Sequence, residues 1–88
     1  MKYQVDYTRK ATKELNKLDP QTRRTIKMWI EKNLENCENP RAHGRSLVGN
    51  HKGEWRYRVG DYRLICRIED QKLVILTLSV GHRAEIYL

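Results

Sequence analysis

Gly53-Glu-Trp-Arg-Tyr-Arg-Val-Gly-Asp-Tyr-Arg-Leu-Ile-Cys-Arg-Ile68 is the stretch that decides the fold. Trp55, Tyr57 and Val59 alternate with Arg56 and Arg58, the period-2 pattern of a half-buried strand. After Gly60-Asp61 the alternation resumes, with Tyr62, Leu64, Cys66 and Ile68 set against Arg63, Ile65 and Arg67. Gly and Asp tolerate the positive φ of primed turns, so the pattern predicts a tight β-hairpin.

A two-residue turn fixes the register. Val59 faces Tyr62, Arg58 faces Arg63, Tyr57 faces Leu64, Arg56 faces Ile65, and Glu54 faces Arg67 as a cross-strand ion pair. Arg58 opposite Arg63, with Arg56 two residues away on the same face, works against this. Like charges directly opposite each other cost about 0.2–1 kcal/mol per pair. Two readings follow: a solvated basic face whose long side chains splay apart, or an anion site, since guanidinium forks match phosphate oxygens bidentately.

Working outward, Tyr3-Gln-Val-Asp-Tyr7 alternates as a short first strand at a sheet edge. Thr8 caps a helix from about Arg9 to Leu18, with Ala11, Leu15 and Leu18 on one face and the charges Arg9, Lys10, Lys13, Glu14 and Lys17 on the rest, a solvated face or else a secondary nucleic-acid contact. Asp19-Pro20 starts a second helix reaching about Asn36, in which Ile26, Trp29, Ile30 and Leu34 form an apolar stripe and place Trp29 in the core. The short connection makes the two an antiparallel helical hairpin.

Asn36 to Lys52 reads as loop, broken by Asn39-Pro40, Gly44 and Gly49-Asn50. Arg45, His51 and Lys52 feed into the arginine hairpin and are candidate nucleic-acid contacts. His43 and His51 otherwise read as exposed loop histidines without metal-ligand spacing. Glu69-Asp-Gln-Lys72 turns the chain into Leu73–Val80, apolar enough for a central strand covered on both faces. A three-residue turn sets Leu64 opposite Leu78, Cys66 opposite Leu76 and Arg63 opposite Ser79. That register brings Arg83, in Gly81-His-Arg-Ala-Glu-Ile-Tyr87, to the arginine side. The fold class is therefore α+β: strand, helical hairpin, then antiparallel β-meander, with the helices on one face of a small sheet.

Eighty-eight residues make one domain, 1–88, with a modest core. A net charge of +7 favours polyanionic partners, either nucleic acid or an acidic protein. Between Arg41 and Arg67 seven Lys or Arg residues stand against Glu54 and Asp61, so the excess sits where a binding surface would be. No apolar run is long enough for a bilayer and none resembles a signal peptide, which predicts a cytoplasmic protein without membrane partners. Cys37 and Cys66 read as reduced thiols. Neither a metal nor another cofactor is expected.

Leu47-Val-Gly-Asn-His-Lys-Gly-Glu-Trp-Arg-Tyr-Arg-Val-Gly-Asp-Tyr-Arg-Leu-Ile65, followed by Val80-Gly-His-Arg-Ala-Glu-Ile-Tyr87, resembles the RelE branch of the RelE/ParE toxin superfamily, and the order of elements matches along the whole chain. The resemblance implies a toxin of a type II toxin–antitoxin pair that cleaves mRNA in the A site of the 70S ribosome. It implies metal-independent attack of the ribose 2′-OH on the adjacent phosphate, and operator DNA contacted only through the antitoxin complex. By motif, Arg56, Arg58 and Arg63 are the hairpin's site residues, and Arg83 and Tyr87 those of the C-terminal tip. Relatives often carry lysine where Arg56 and Arg58 stand. Arginine is effectively always protonated and so a poor proton-transfer group. Tyr87 serves if the cations favour its phenolate, and His82 has the better intrinsic pKa but on strand alternation points away from Arg83. Two other readings share the fold: a ParE-like toxin that binds gyrase without cleaving RNA, and a weak paralogue acting with its antitoxin as a repressor. An acidic antitoxin segment is expected over the basic face.

Overall fold

The computed structural model describes residues 1–86. Among them, strand β1 (Gln4–Tyr7) leads into helices α1 (Arg9–Lys17) and α2 (Pro20–Asn33). The two-residue strand β2 (Arg45–Ser46) follows, and then β3 (Trp55–Val59), β4 (Tyr62–Glu69) and β5 (Val74–His82). The strands form one sheet in the order β1-β5-β4-β3-β2. Every neighbouring pair is antiparallel except β1 with β5, which is parallel. The expected α+β arrangement is present, with two additions: β1 joins the meander beside its last strand, and β2 extends the other edge.

The helix starts are chemical. Thr8 Oγ1 accepts from the Ala11 N–H at 3.1 Å, and the Asp19 carboxylate accepts from the Thr22 N–H (3.1 Å) and hydroxyl (2.6 Å). Those bonds hold the Asp19 carboxyl below the usual carboxylate range. Helix α2 ends at Asn33, earlier than expected. Asn36 takes φ 62°, and the Asn36 and Cys37 backbones exchange hydrogen bonds with Tyr3, which ties the helix exit to the start of β1. Both helices cover one face of the sheet. Ala11, Leu15, Ile26, Ile30 and Leu34 pack there on Tyr57, Val59, Leu64, Cys66, Ile75 and Val80, with Trp29 partly buried against them.

The hairpin register is as expected from Val59↔Tyr62 to Arg56↔Ile65, and Gly60 in its turn has φ 59°. Its continuation is not. Glu54 lies just outside β3, and its carboxylate bonds His51 rather than Arg67. The β4–β5 register also differs. Leu64 faces Val80, Cys66 faces Thr77 and Arg63 faces Gly81, with an irregularity between Ile65/Cys66 where Leu78 is skipped. The turn runs through Asp70–Leu73, and Leu73 has φ 54°. Because one residue bulges, Thr77 stays on the helix face while Ser79 faces Ile65 on the other.

Beyond Thr77 strand β1 no longer covers the edge of β5, and α1 takes over. Thr8 Oγ1 donates to the Leu78 carbonyl at 3.1 Å, and Glu14 Oε1 accepts from the Val80 N–H and the Ser79 hydroxyl, both at 2.9 Å. Ladder groups left over where one strand stops are thus satisfied by the helix that follows it.

Candidate active site

The helix-free face of the sheet carries the arginines. On β3, Arg56 and Arg58 alternate with the buried Tyr57 and so project away from the core. Across the outer edge Arg45 pairs directly with Arg56, and across the inner edge Arg58 pairs with Arg63. Gly44, Arg45, Arg56 and Arg58 line a concave surface of about 330 Å³. The sequence placed Arg45 in a loop beside the hairpin. The structure makes it a cross-strand neighbour of Arg56.

What brings Arg45 there is the anchoring of residues 39–44. The Tyr57 hydroxyl donates to the Pro40 carbonyl at 2.6 Å, and Trp55 Nε1 donates to the His43 carbonyl at 2.7 Å. Arg41 makes two 3.0 Å bonds to the Asp70 carboxylate, which also accepts from the Tyr3 hydroxyl at 2.7 Å. Bonding to Arg41 and Tyr3 holds the Asp70 carboxyl below its ordinary range, while the same bond and burial push Tyr3 up. Desolvation pushes the Tyr57 phenol well above its usual value, so it stays neutral and donating. Gly44, at φ 79°, lies so close to β3 that a Cβ there would meet the Arg56 carbonyl oxygen.

Arg63 differs from the other cations. It is 9% exposed, and its Nη1 donates to the carbonyls of Gly60 (2.9 Å) and Tyr62 (3.0 Å). The hairpin's own carbonyls thereby take up part of the charge that faces Arg58. Arg83 meets the same turn from the C-terminal side: its N–H donates to the Asp61 carbonyl at 2.8 Å, and its Nε lies 3.9 Å from Asp61 Oδ1.

The ParE-toxin family model, "ParE toxin of type II toxin-antitoxin system, parDE", matches residues 5–87. The chain is 33% identical to Toxin RelG of Mycobacterium tuberculosis over 99% of this chain and 98% of that one. It belongs to the RelE branch of the RelE/ParE superfamily of type II toxins. It is equally 33% identical to the mRNA interferase toxin RelE of Escherichia coli, covering 99% of this chain and 92% of that one. The toxin–antitoxin complex RelBE2 of M. tuberculosis contains a chain that superposes with TM-score 0.85 at 30% identity, over 97% of this chain and 95% of that one.

The remaining sequence candidates of this RelE-like toxin fall in three places. His82 pairs with Tyr62 on the helix face, its ring 5.5 Å from the Tyr62 ring, and its Nδ1 accepts from the Ala84 N–H at 3.1 Å. The sheet separates it from the arginines, as strand alternation requires. His51 is partly buried with Nδ1 3.0 Å from Glu54 Oε1, and Lys52 follows it, exposed. Tyr87 lies outside the described residues. Two participants escaped the sequence reading: Gly44 fills a close approach and Glu54 holds His51, while Lys10, one of the charges of α1, lines a second concave surface with His51. Of these, Gly44 left a signal, as a glycine that breaks a basic loop. Among the described residues no three His, Cys, Asp or Glu side chains are grouped so as to hold a metal ion, and no helix is long and apolar enough to cross a membrane.

Proposed function

We propose that this RelE-like toxin is an endoribonuclease that cleaves mRNA bound in the ribosomal A site and is neutralised by a cognate antitoxin. The observation that carries the reading is the set of Arg45, Arg56 and Arg58 on one exposed concave surface, with Arg63 fixed beside them by the turn carbonyls. Three guanidinium groups lining one concave surface suit a phosphodiester, whose oxygens their forks match. The relatives named mRNA interferases add to this support.

In the reaction so proposed, the ribose 2′-oxygen attacks the adjacent phosphorus and the bond to the 5′-oxygen breaks, leaving a 2′,3′-cyclic phosphate and a 5′-OH. Negative charge builds on the non-bridging oxygens at the transition state. Guanidinium donors already in place stabilise that charge more than the ground-state diester. Arg56 and Arg58 hold the phosphate, Arg45 flanks it, and Arg63 and Arg83 form the rim at the hairpin turn. Lys52 and the basic loop contact the neighbouring backbone. The ribosome's part is to hold the RNA so that the 2′-OH lies in line, a contribution worth several orders of magnitude in rate. A cofactor has no step in this scheme.

The antitoxin is proposed to lay an acidic segment over the same arginines, and solved relatives are toxin–antitoxin complexes. Their affinity then falls as salt rises, and operator DNA is contacted through the antitoxin. The match to the ParE family model favours one alternative, inhibition of gyrase without RNA cleavage. Primer extension on mRNA in a programmed 70S ribosome decides. Cleavage by wild type that is lost in Arg56→Ala/Arg58→Ala supports the nuclease. Intact RNA together with inhibited gyrase supercoiling replaces it with the alternative.

A further inference from the structure

An arginine cradle stabilises charge but cannot take a proton, since guanidinium stays protonated throughout the physiological range. The structure has a group that can. His51 Nδ1 lies 3.0 Å from Glu54 Oε1, with both side chains partly buried. An acceptor carboxylate makes Nδ1 the donor and leaves the imidazole lone pair on Nε2. Backbone bonds fix the pair: the Glu54 N–H donates to the His51 carbonyl and the Leu47 N–H to the Glu54 carbonyl, both at 3.0 Å.

The second of those bonds extends the β2–β3 ladder by one residue, so Glu54 continues the alternation of β3 and projects to the same face as Arg56. Two residues along an extended strand is about 7 Å. The concavity that His51 and Glu54 line, about 370 Å³, is floored by Ile65, the cross-strand partner of Arg56. Lys10 of α1 lines it as well, so among the described residues Glu54 and Lys10 share the concavity with the imidazole, and Arg56 stands two residues further along the strand from Glu54.

We propose that His51 is the general base of the cleavage reaction and Glu54 its positioning residue, the imidazole being held 3.0 Å from a carboxylate that stands two residues along the strand from Arg56. The inference rests on the nuclease reading above. His51 Nε2 takes the proton of the ribose 2′-OH as the O2′–P bond forms. The P–O5′ bond breaks with its electron pair on O5′, which takes a proton from water, and the imidazolium returns its proton to solvent.

The test is single-turnover cleavage of mRNA in programmed 70S ribosomes as a function of pH, with ribosome affinity measured alongside and circular dichroism to check that each variant is folded. Wild type shows a rate that falls with acidification as the imidazole protonates. His51→Ala and His51→Gln cleave about 10²–10⁴-fold more slowly, lose that acid limb, and bind ribosomes within about three-fold of wild type. Added imidazole restores part of the His51→Ala rate. Glu54→Gln lowers the single-turnover rate with ribosome affinity within about three-fold of wild type, and Glu54→Asp restores part of that rate, which a merely structural role would not do. A folded His51→Ala that cleaves within about three-fold of wild type, or keeps the acid limb, overturns the assignment while leaving the nuclease reading intact. A wild type that leaves ribosome-bound mRNA uncut overturns both.

Discussion

Replacing Gly44 with alanine tests whether the arginine cradle depends on one backbone contact. The backbone at Gly44 has φ 79°, and an L-residue held there costs about 1–2 kcal/mol. The added Cβ would also meet the Arg56 carbonyl oxygen, Trp55 Nε1 at 2.7 Å and Tyr57 Cδ1 at 3.0 Å. The nearest of these is backbone inside the sheet, so the loop must move instead. Its movement breaks the 2.7 Å bond from Trp55 Nε1 to the His43 carbonyl, worth about 1 kcal/mol. The expected loss is about 2–3 kcal/mol, which for a domain of this size lowers the melting temperature by about 8–24 °C. Gly53→Ala is the control: φ is 90° but no atom lies within 4 Å of its Cβ, so only the backbone part of the cost remains. Thermal melts followed by circular dichroism read both variants. If Gly44→Ala melts within about 4 °C of wild type, or no lower than Gly53→Ala, the close approach does not hold the loop and the reasoning fails.

Three further outcomes are expected. The Asp70 carboxyl is held below the ordinary value of about 3.9, so its stabilisation is complete above that pH and is lost as pH falls through the lower folded value. Melting temperatures recorded downward from about pH 5 should therefore drop more steeply for wild type than for Asp70→Asn, and parallel curves would contradict this. Glu14→Ala strands the Val80 N–H and Ser79 hydroxyl at the edge of β5, costing about 1–3 kcal/mol in denaturant titrations, and an unchanged midpoint would mean the edge is covered by something else. Burial pushes the Cys66 thiol up to about 12 and raises the half-buried Cys37 less, so iodoacetamide at neutral pH should label Cys37 first and Cys66 only on unfolding, with mass spectrometry as the readout.

The parts legible in the sequence are those that local chemistry determines. Gly60-Asp61 names a two-residue turn, and once the turn is known Arg58 must face Arg63. Thr8, and Asp19 with Pro20, likewise mark helix starts that depend on their own next three residues. The β4–β5 register failed for the complementary reason. Leu76, Leu78 and Val80 are interchangeable as apolar partners, and nothing local announces that Leu78 is skipped. Glu54 looked like a partner for Arg67 because strand pairing was extrapolated one step too far, whereas a nearby loop histidine claims it. For the candidate site, the alternation of β3 put Arg56 and Arg58 together on the face opposite the buried Tyr57. The addition of Arg45 needed a two-residue strand whose existence rests on Arg41–Asp70 and Tyr57–Pro40, contacts across 29 and 17 positions. The near-burial of Arg63 was equally hidden, since no periodicity tells a solvated arginine from one folded onto carbonyls.

The parallel pairing of β1 with β5 has a consequence for how the toxin comes into being. Val5 sits beside Ile75, and α1 seals an edge that does not exist until Leu78–Val80 are in place. A nascent chain that has exposed only its first strand and both helices has nothing to bury them against, because the middle of the sheet is made last. Contacts this distant in sequence close slowly and reward the chain only at the end. The sheet therefore closes only after β5 has been made, and a chain cut short before it lacks the strand that joins β1 to β4.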